Sequence, residues 1–212
     1  MPREAGPQRQ ARGRQRMEQI LDAADLVIQR QGTAFSLQQV AEAAKLPPAS
    51  LYHYFPTNPS LLMELAKRYL TGFEALARSP IRHNRLTQWS DLCAIHAEMS
   101  LRFYHQHPVA MRLFLGPESG WEIRAADLAT NERIGHIFYR KLIQHFVIAE
   151  SEALERALAI SVTIGDSIWA LSFARHGQIE PEMAQEALRA KLAYLRLYIG
   201  EYAEKRAKPL PG

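Results

Sequence analysis

The sequence is poor in cysteine and has no long apolar run. Its single cysteine, Cys93, cannot form an internal disulfide, which is typical of a reducing compartment. No stretch approaches the run of about 18 apolar residues that a membrane helix needs. The polar, arginine-rich N-terminus also lacks the apolar core of a secretory signal. With 47% hydrophobic and 23% charged residues, the composition predicts a globular, cytoplasmic protein with a sizeable core.

Motifs for metals, cofactors and catalysis are missing as well. The sequence has no glycine-rich phosphate loop, no cysteine pair and no histidine–glutamate zinc motif. Eight histidines are present, but His105 and His107 lie two apart, which places them on different faces of a helix. We therefore expect no metal site, no cofactor and no enzymatic activity.

The net charge of +4 lies entirely near the N-terminus, where residues 1–16 carry five arginines against one glutamate. Glutamine, glycine and proline make up much of the rest of this segment. Such a composition predicts a disordered basic arm over residues 1–13. The arm either contacts a polyanion such as DNA or serves as a solubilising tail.

Helical periodicity recurs along the chain and strand signals are nearly absent, so the predicted fold class is all-α. Ser36 and Gln39 form the pattern of a capping box at the start of a short second helix, which Pro47 and Pro48 end. Asn58 is expected to cap a fourth helix. The predicted helices lie at about 14–31, 36–45, 48–54, 58–78, 84–106, 108–115, 121–147, 152–176 and 182–206.

The first three predicted helices have the layout of a DNA-binding helix-turn-helix. Leu46 and Leu51 are the inward anchors, and Phe55 closes the unit. An outward tyrosine and histidine, Tyr52 and His53, suit contacts with phosphates or base edges better than a place in the core.

These residues resemble the TetR family of bacterial regulators over the segment 14–65. The matching run is Ser36-Leu37-x-x-Val40-Ala41-x-x-Ala44, then Leu46, Leu51-Tyr52-His53-Tyr54-Phe55 and Leu61-Leu62. The resemblance implies a DNA-binding domain at 14–58, a ligand-binding and dimerisation domain at 59–206 and a tail at 207–212. It also implies contacts with double-stranded operator DNA from Ser36, Gln38, Gln39, Lys45, Pro48, Ala49, Ser50, Tyr52, His53, Tyr54 and Asn58.

Three positions depart from the family pattern. Lys45 stands where the turn usually carries glycine, which predicts a left-handed backbone at a lysine. Pro47-Pro48-Ala49 replaces a segment of small residues, and Asn58 replaces a lysine that would contact phosphate. Lys45 is the only lysine or arginine between Gln31 and Ala66. Non-specific DNA affinity must therefore rely on the N-terminal arm.

Aromatic residues of the larger domain indicate an apolar ligand cavity, since three tryptophans lie in three different predicted helices. Ordinary core packing is the alternative for each of them. Asp166 lies in a mostly apolar run, and we expect it to reach solvent. Its alternatives are to orient a ligand or to pair across a dimer interface. The candidate ligand residues are Trp89, Cys93, His96, Ser100, Phe103, Trp121, Phe138, Asp166, Trp169 and Phe173.

The last two predicted helices are apolar over much of their circumference, which indicates that a second surface covers them. In the resembled family these helices pair with their copies. We therefore predict a homodimeric repressor that an apolar or aromatic effector releases from DNA. The alternatives are a family member that activates or acts without ligand, and a helical enzyme or carrier for an apolar molecule. The predicted interface residues are Leu188, Leu192, Leu195 and Ile199.

Overall fold

A computed structural model describes residues 7–117 and 120–211. The chain divides into an N-terminal unit, Met1–Arg68, and a C-terminal unit, Tyr69–Gly212. The predicted all-α class is confirmed. The elements are α1 (Pro7–Gln31), α2 (Leu37–Ala43), α3 (Pro48–Tyr54), α4 (Asn58–Arg78), a 3₁₀ turn (His83–Arg85), α5 (Trp89–Gln106), α6 (Pro108–Leu115), α7 (Trp121–His145), β1 (Phe146–Val147), α8 (Glu152–His176), α9 (Pro181–Ile199) and β2 (Glu204–Lys205).

The core of the N-terminal unit follows the apolar spacing of its helices. Ile20 and Ile28 of α1, Val40 of α2 and Leu51 of α3 are fully buried. Helix α2 packs against both α1 and α3. The periodicity of the sequence therefore places the correct faces of these helices inward.

Helix α1 begins earlier than the sequence predicts. It starts at Pro7, so the prediction of a disordered arm is wrong for residues 7–13. Proline is tolerated in the first helical turn, and the glutamine, arginine and alanine residues that follow are good helix formers. Residues 1–6 of the predicted arm lie outside the described residues.

The C-terminal unit is centred on α8, against which α6, α7 and α9 pack. Within residues 7–117 and 120–211, α8 is the one helix long and apolar enough to cross a membrane, by length and composition alone. Neighbouring helices cover part of it, while Ile160 and Leu171 remain exposed.

The predicted ends of α7 and α9 are wrong. Helix α9 stops at Ile199, because Gly200 adopts a φ of 83° and turns the chain. The chain then returns, and β2 pairs antiparallel with β1, which occupies the predicted end of α7. The Trp89 indole N–H donates to the Glu201 carbonyl at 3.3 Å and secures this return. Helix α5 likewise begins at Trp89 rather than at residue 84.

Helices α7 and α8 approach each other closely at Gly135. A Cβ atom added there would lie 2.5 Å from the backbone N and Cα of Ala159 and 2.7 Å from its Cβ. Ala159 could yield only by moving its backbone. The crossing therefore requires glycine at this position.

We predict that Gly135→Ala lowers the free energy of unfolding by about 1–3 kcal/mol, because the new methyl group forces α7 and α8 apart. Denaturant unfolding of the full chain measures this. Gly13→Ala is the matched control, since a Cβ at Gly13 of α1 meets nothing within 4 Å. It should stabilise the chain by roughly 0.5–1 kcal/mol. A Gly135→Ala chain as stable as the parent would contradict the close crossing.

Candidate functional site

The turn between α2 and α3 is built around a left-handed lysine. Lys45 has a φ of 54°, as its place in the turn predicts. The backbone N–H of Leu46 donates to the Ala41 carbonyl at 2.9 Å, and that of Lys45 donates to the Glu42 carbonyl at 3.0 Å. This is the hydrogen-bond pattern of a Schellman motif, which normally uses glycine. It fixes the direction in which α3 leaves the turn.

The predicted capping box at α2 is confirmed. The Ser36 backbone N–H donates to Gln39 Oε1 at 2.8 Å, and the Gln39 backbone N–H donates to Ser36 Oγ at 3.2 Å. Gln39 Nε2 also donates to Gln31 Oε1 at 3.0 Å, which ties α2 to α1. Both side chains are therefore engaged within the protein, while exposed Gln38 bonds only to Glu42 among the described residues.

Helix α3 presents a polar outer face, with Leu51 fully buried on the opposite side. Tyr52 is 49% exposed, and exposed His53 packs edge-to-face with half-buried Tyr54. Pro48, Ala49 and Ser50 complete the first turn, with Ser50 half-buried. A helix this short with a polar outer face can enter a major groove about 12 Å wide.

Asn58 does not cap α4, and that prediction is wrong. Thr57 Oγ1 accepts the Ser60 backbone N–H at 3.3 Å, so Thr57 holds the capping position. Asn58 Nδ2 instead donates to the Phe35 carbonyl at 2.7 Å, bridging to the segment before α2. Its amide nitrogen is therefore used within the protein.

Few cations accompany α3 on this surface. Lys45 is exposed, and so are Arg12, Arg14 and Arg16 in the first half of α1. Arg12, which was predicted to lie in the disordered arm, is part of α1 together with Arg14 and Arg16. Exposed arginines of this kind can neutralise phosphates.

The C-terminal unit encloses a small cavity of about 30 Å³. Of the ten predicted ligand residues, the five that line it are His96, Ser100, Phe138, Asp166 and Trp169. The other lining residues are Leu70, Phe73, Tyr104, Asp127, Thr130, Asn131, Ile134, Val162 and Lys191. A space of this size holds about two water molecules.

The other five predicted ligand residues do not line this cavity. Trp89 anchors the C-terminal return, and Trp121, the first residue of α7, is 74% exposed. Cys93 is buried in the core, where burial raises the pKa of its thiol to about 11. Phe103 packs outside the cavity against Phe73, with ring centres 4.4 Å apart. Phe173 lies beside Gly116.

Asp166 is half-buried, so it does not simply face solvent in the way that the sequence led us to expect. It lines the cavity, and its Oδ2 accepts the Asn131 side-chain N–H at 2.9 Å. Burial raises its pKa, although the Asn131 bond and the Lys191 charge oppose the increase. Asp127 lies in the same wall and accepts from Arg124 at 2.6 Å. Burial and the charge of Asp166 raise the pKa of Asp127 to about 7.

Two buried nitrogens of the cavity residues lack hydrogen-bond partners within the described part of the chain. They are His96 Nε2 and Trp169 Nε1. Burial, with the charges of Lys141 and Lys191, lowers the pKa of His96 to about 2, so the imidazole is neutral. No three side chains of the metal-binding types come together within residues 7–117 and 120–211.

The predicted interface stripe on α9 is partly covered by the chain itself. Leu195 is fully buried within the chain, and the three others are half-buried. Helical spacing identifies an apolar stripe but does not tell which neighbour covers it. Within the chain, α5 and α8 pack against α9. The large apolar side chains exposed on α8 and α9 are Ile160, Leu171, Leu197 and Tyr198.

Solved structures share this fold. A TetR-family transcriptional regulator from Streptomyces coelicolor matches with a TM-score of 0.63 and 20% identity, over 87% of this chain and 99% of that chain. A TetR transcriptional regulator from Rhodococcus sp. RHA1 gives 0.61 and 17%, over 86% and 96%. The flavonoid-responsive regulator FrrA gives 0.51 and 22%, over 86% and 96%. No curated protein sequence shows a significant match.

The profile of the bacterial regulatory proteins, tetR family, matches residues 20–65, which span the last part of α1 through the first part of α4. The segment that forms the helix-turn-helix is therefore similar to the tetR family of bacterial regulatory proteins, and the rest of the chain shares its fold with the solved structures above. The match supports a part in DNA-binding regulation for the helix-turn-helix.

Sequence reasoning missed the polar wall of the cavity. Asp127 and Asn131 lie four residues apart on α7, and both are buried. Residues at that spacing share one helical face. Two polar residues on an otherwise apolar face of α7 were therefore the sequence signal that could have revealed this polar wall. Lys191 of α9 carries no comparable pattern, because its burial depends on contact with Gly165 of α8.

Asp127 should make stability depend on pH. Its pKa is 3.8 in an unfolded chain and about 7 in the folded one. Between these values the folded state holds a proton that the unfolded state has lost, so the free energy of unfolding falls as pH rises. Asp127→Asn cannot ionise, and its Tm gain over the parent should be larger at about pH 8 than at about pH 5.

Thermal unfolding of both chains at the two pH values measures this difference. Because His96 is neutral in the folded state, it lowers the free energy of unfolding as pH falls below about 6.5. This effect is the same in both chains, so it cancels in the difference between their Tm values. Glu98→Gln, at an exposed ion pair with Arg102, is the control and should give the same small change at both pH values. An equal Tm gain for Asp127→Asn at both pH values would contradict the raised pKa of Asp127.

Proposed function

We propose that this chain is a homodimeric repressor of the TetR family that acts in the cytoplasm and leaves its operator when a small, largely aromatic molecule binds the C-terminal unit. The observation that carries the DNA-binding part is the outer face of α3, where Tyr52 and His53 are exposed. The Schellman turn at Lys45 and the capping box at Ser36 hold that helix in place. Tyr52 would contact phosphate, whereas Ser50 and His53 would read base edges.

Effector release rests on the cavity and on α4. This helix supplies Leu70 and Phe73 to the cavity wall, and its first half belongs to the N-terminal unit. A ligand that widens the cavity would displace α4 and shift the population toward a state that fits DNA poorly. The paired recognition helices of a dimer must match major grooves about 34–36 Å apart. To shift the population almost completely, the ligand must bind one conformation more tightly than the other by about 5 kcal/mol.

The flavonoid response in the name of FrrA is consistent with an aromatic effector for a protein of this fold. Activation, or DNA binding without an effector, is the remaining alternative within the family. An effector titration of operator binding separates these possibilities, because a repressor of the proposed kind loses DNA affinity as the effector is added.

We predict that Tyr52→Phe weakens binding to every DNA sequence by roughly tenfold or more, because it removes a hydroxyl that donates to phosphate. Fluorescence anisotropy with the intergenic DNA upstream of the chain's own gene measures the affinity. Tyr202→Phe, at a residue 85% exposed near the end of the chain, is the matched control. His53→Ala should change sequence preference instead. Tyr52→Phe binding as tightly as the parent would remove α3 from the proposed interface.

Dimerisation is proposed through the exposed apolar faces of α8 and α9. Exposed aliphatic side chains on neighbouring helices form the kind of surface that a second copy covers. An isologous contact would bring these faces against themselves. Because Leu195 already lies in the core, it contributes to folding rather than to this contact.

We predict that Leu171→Glu combined with Leu197→Glu yields a folded monomer, because two charges would be buried without partners at the contact. Sedimentation at micromolar protein concentration gives the oligomeric state. Leu26→Glu, at an exposed leucine of α1, is the control and should leave the dimer intact. Leu195→Glu should instead prevent folding. A parent chain that sediments as a monomer would overturn the dimer and the paired-groove mechanism.

A further inference from the structure

We infer that the cavity of the C-terminal unit selects an uncharged aromatic molecule whose polar end both accepts and donates a hydrogen bond, as a phenol does. This inference rests on the proposed role of the cavity as an effector site. It adds the charge of the effector, the chemistry of its polar end and the residues that recognise that end.

The requirement for an acceptor comes from Trp169. Its indole Nε1 is buried and has no partner among the described residues, although the side chain lines the cavity. An indole N–H can only donate, so the group that satisfies it must accept. His96 Nε2 is a second unpartnered nitrogen in the same wall. Leaving such groups unsatisfied is unfavourable, and a ligand oxygen removes that penalty.

The requirement for a donor comes from Asp166. A carboxylate offers about four lone-pair positions, and in the described part of the chain Asn131 donates to one oxygen of Asp166, Oδ2. A ligand hydroxyl can donate to a lone pair of this carboxyl group, and the hydrogen bond is stronger where the group is ionised. Asp166 and Trp169 lie three residues apart on α8 and line the same cavity, so they share a helical face on which one ligand hydroxyl would meet both.

The absence of a net charge on the ligand follows from the balance of the cavity wall. Asp127 is paired with Arg124 at 2.6 Å, and Asp166 interacts with the charge of Lys191. Arg124 lies beside Asp127, and Lys191 lines the same cavity as Asp166, so each carboxyl group already has a cation near it. A charged ligand would leave one buried charge without compensation, which is strongly unfavourable.

The polar end of the ligand has a defined location. Asp127 and Asp166 line both the inner cavity and an outer cleft of about 390 Å³, which Phe114 and Ser167 also border. The carboxyl groups thus separate the two spaces, while Phe73 and Phe138 line the inner one. A ligand would place its ring among the aromatic side chains and its hydroxyl at the carboxyl groups. The inner space must widen to admit a ring, which is the change that the proposed regulation requires.

Three naphthalene probes of nearly equal size test the charge selection on the full chain. They are 2-naphthol, 2-naphthoate and 2-naphthylmethylamine, which at neutral pH are uncharged, anionic and cationic. Titration calorimetry gives each affinity. We expect 2-naphthol to bind at least about tenfold more tightly than either charged probe. Equal or tighter binding of a charged probe, or no binding of 2-naphthol, overturns the inference.

Two variants test the polar end. Trp169→Phe keeps the ring and removes the donor, and Asp166→Asn removes the carboxylate. Each should weaken 2-naphthol binding by about two- to tenfold, the usual effect of one hydrogen bond. Trp121→Phe, at an exposed tryptophan, is the matched control and should leave the affinity unchanged. If Trp169→Phe binds 2-naphthol as tightly as the parent chain, the inference that the ligand accepts a hydrogen bond from Trp169 is overturned. The comparison of probes on the parent chain is independent of how well the variants fold.

DNA binding separates this inference from the proposed function. Anisotropy with the upstream intergenic DNA is repeated with saturating 2-naphthol. If 2-naphthol binds with the expected selectivity and DNA affinity falls, the ligand class and the regulatory role are both supported. If it binds selectively and DNA affinity is unchanged, the ligand class is supported and the regulatory role fails.

Discussion

The close crossing of α7 and α8 at Gly135 is the constraint on which the C-terminal unit depends. Without a side chain at that position, the backbone of Ala159 lies against α7. One turn away on α7, Asn131 reaches Asp166 of α8 at 2.9 Å. A wider spacing between these helices would separate the two groups and leave a carboxylate facing apolar side chains. The chemistry of the cavity is therefore a consequence of helix packing.

Much of the helical framework could be predicted from local signals. Proline and glycine mark most helix ends, and the Ser36–Gln39 pattern locates the start of α2 because capping involves only nearby residues. The return of the chain after α9 was missed because β2 forms by pairing with a strand about 60 residues earlier, a distance at which local patterns carry no information.

The site was predicted only in part for a related reason. Helical spacing tells which residues share a face, but not which other helix that face meets. The three tryptophans illustrate this. Trp89 secures the C-terminal return, Trp121 lies at the surface and Trp169 lines the cavity. Leu195 was assigned to an interface because its stripe is apolar, yet that stripe contacts the protein's own core. The helix-turn-helix was easier to predict because its core and its outer face lie within one short segment.

The return of the chain after α9 also determines the order in which the protein can fold during synthesis. The Arg206 backbone N–H donates to the His145 carbonyl and that of Leu210 to the Gln144 carbonyl, both at 3.0 Å. These bonds, and the one between Trp89 and Glu201, cannot form until the corresponding residues leave the ribosome. The N-terminal unit has no such dependence on the end of the chain, because it is formed by the first 68 residues. A nascent chain can therefore complete its N-terminal unit well before its C-terminal unit.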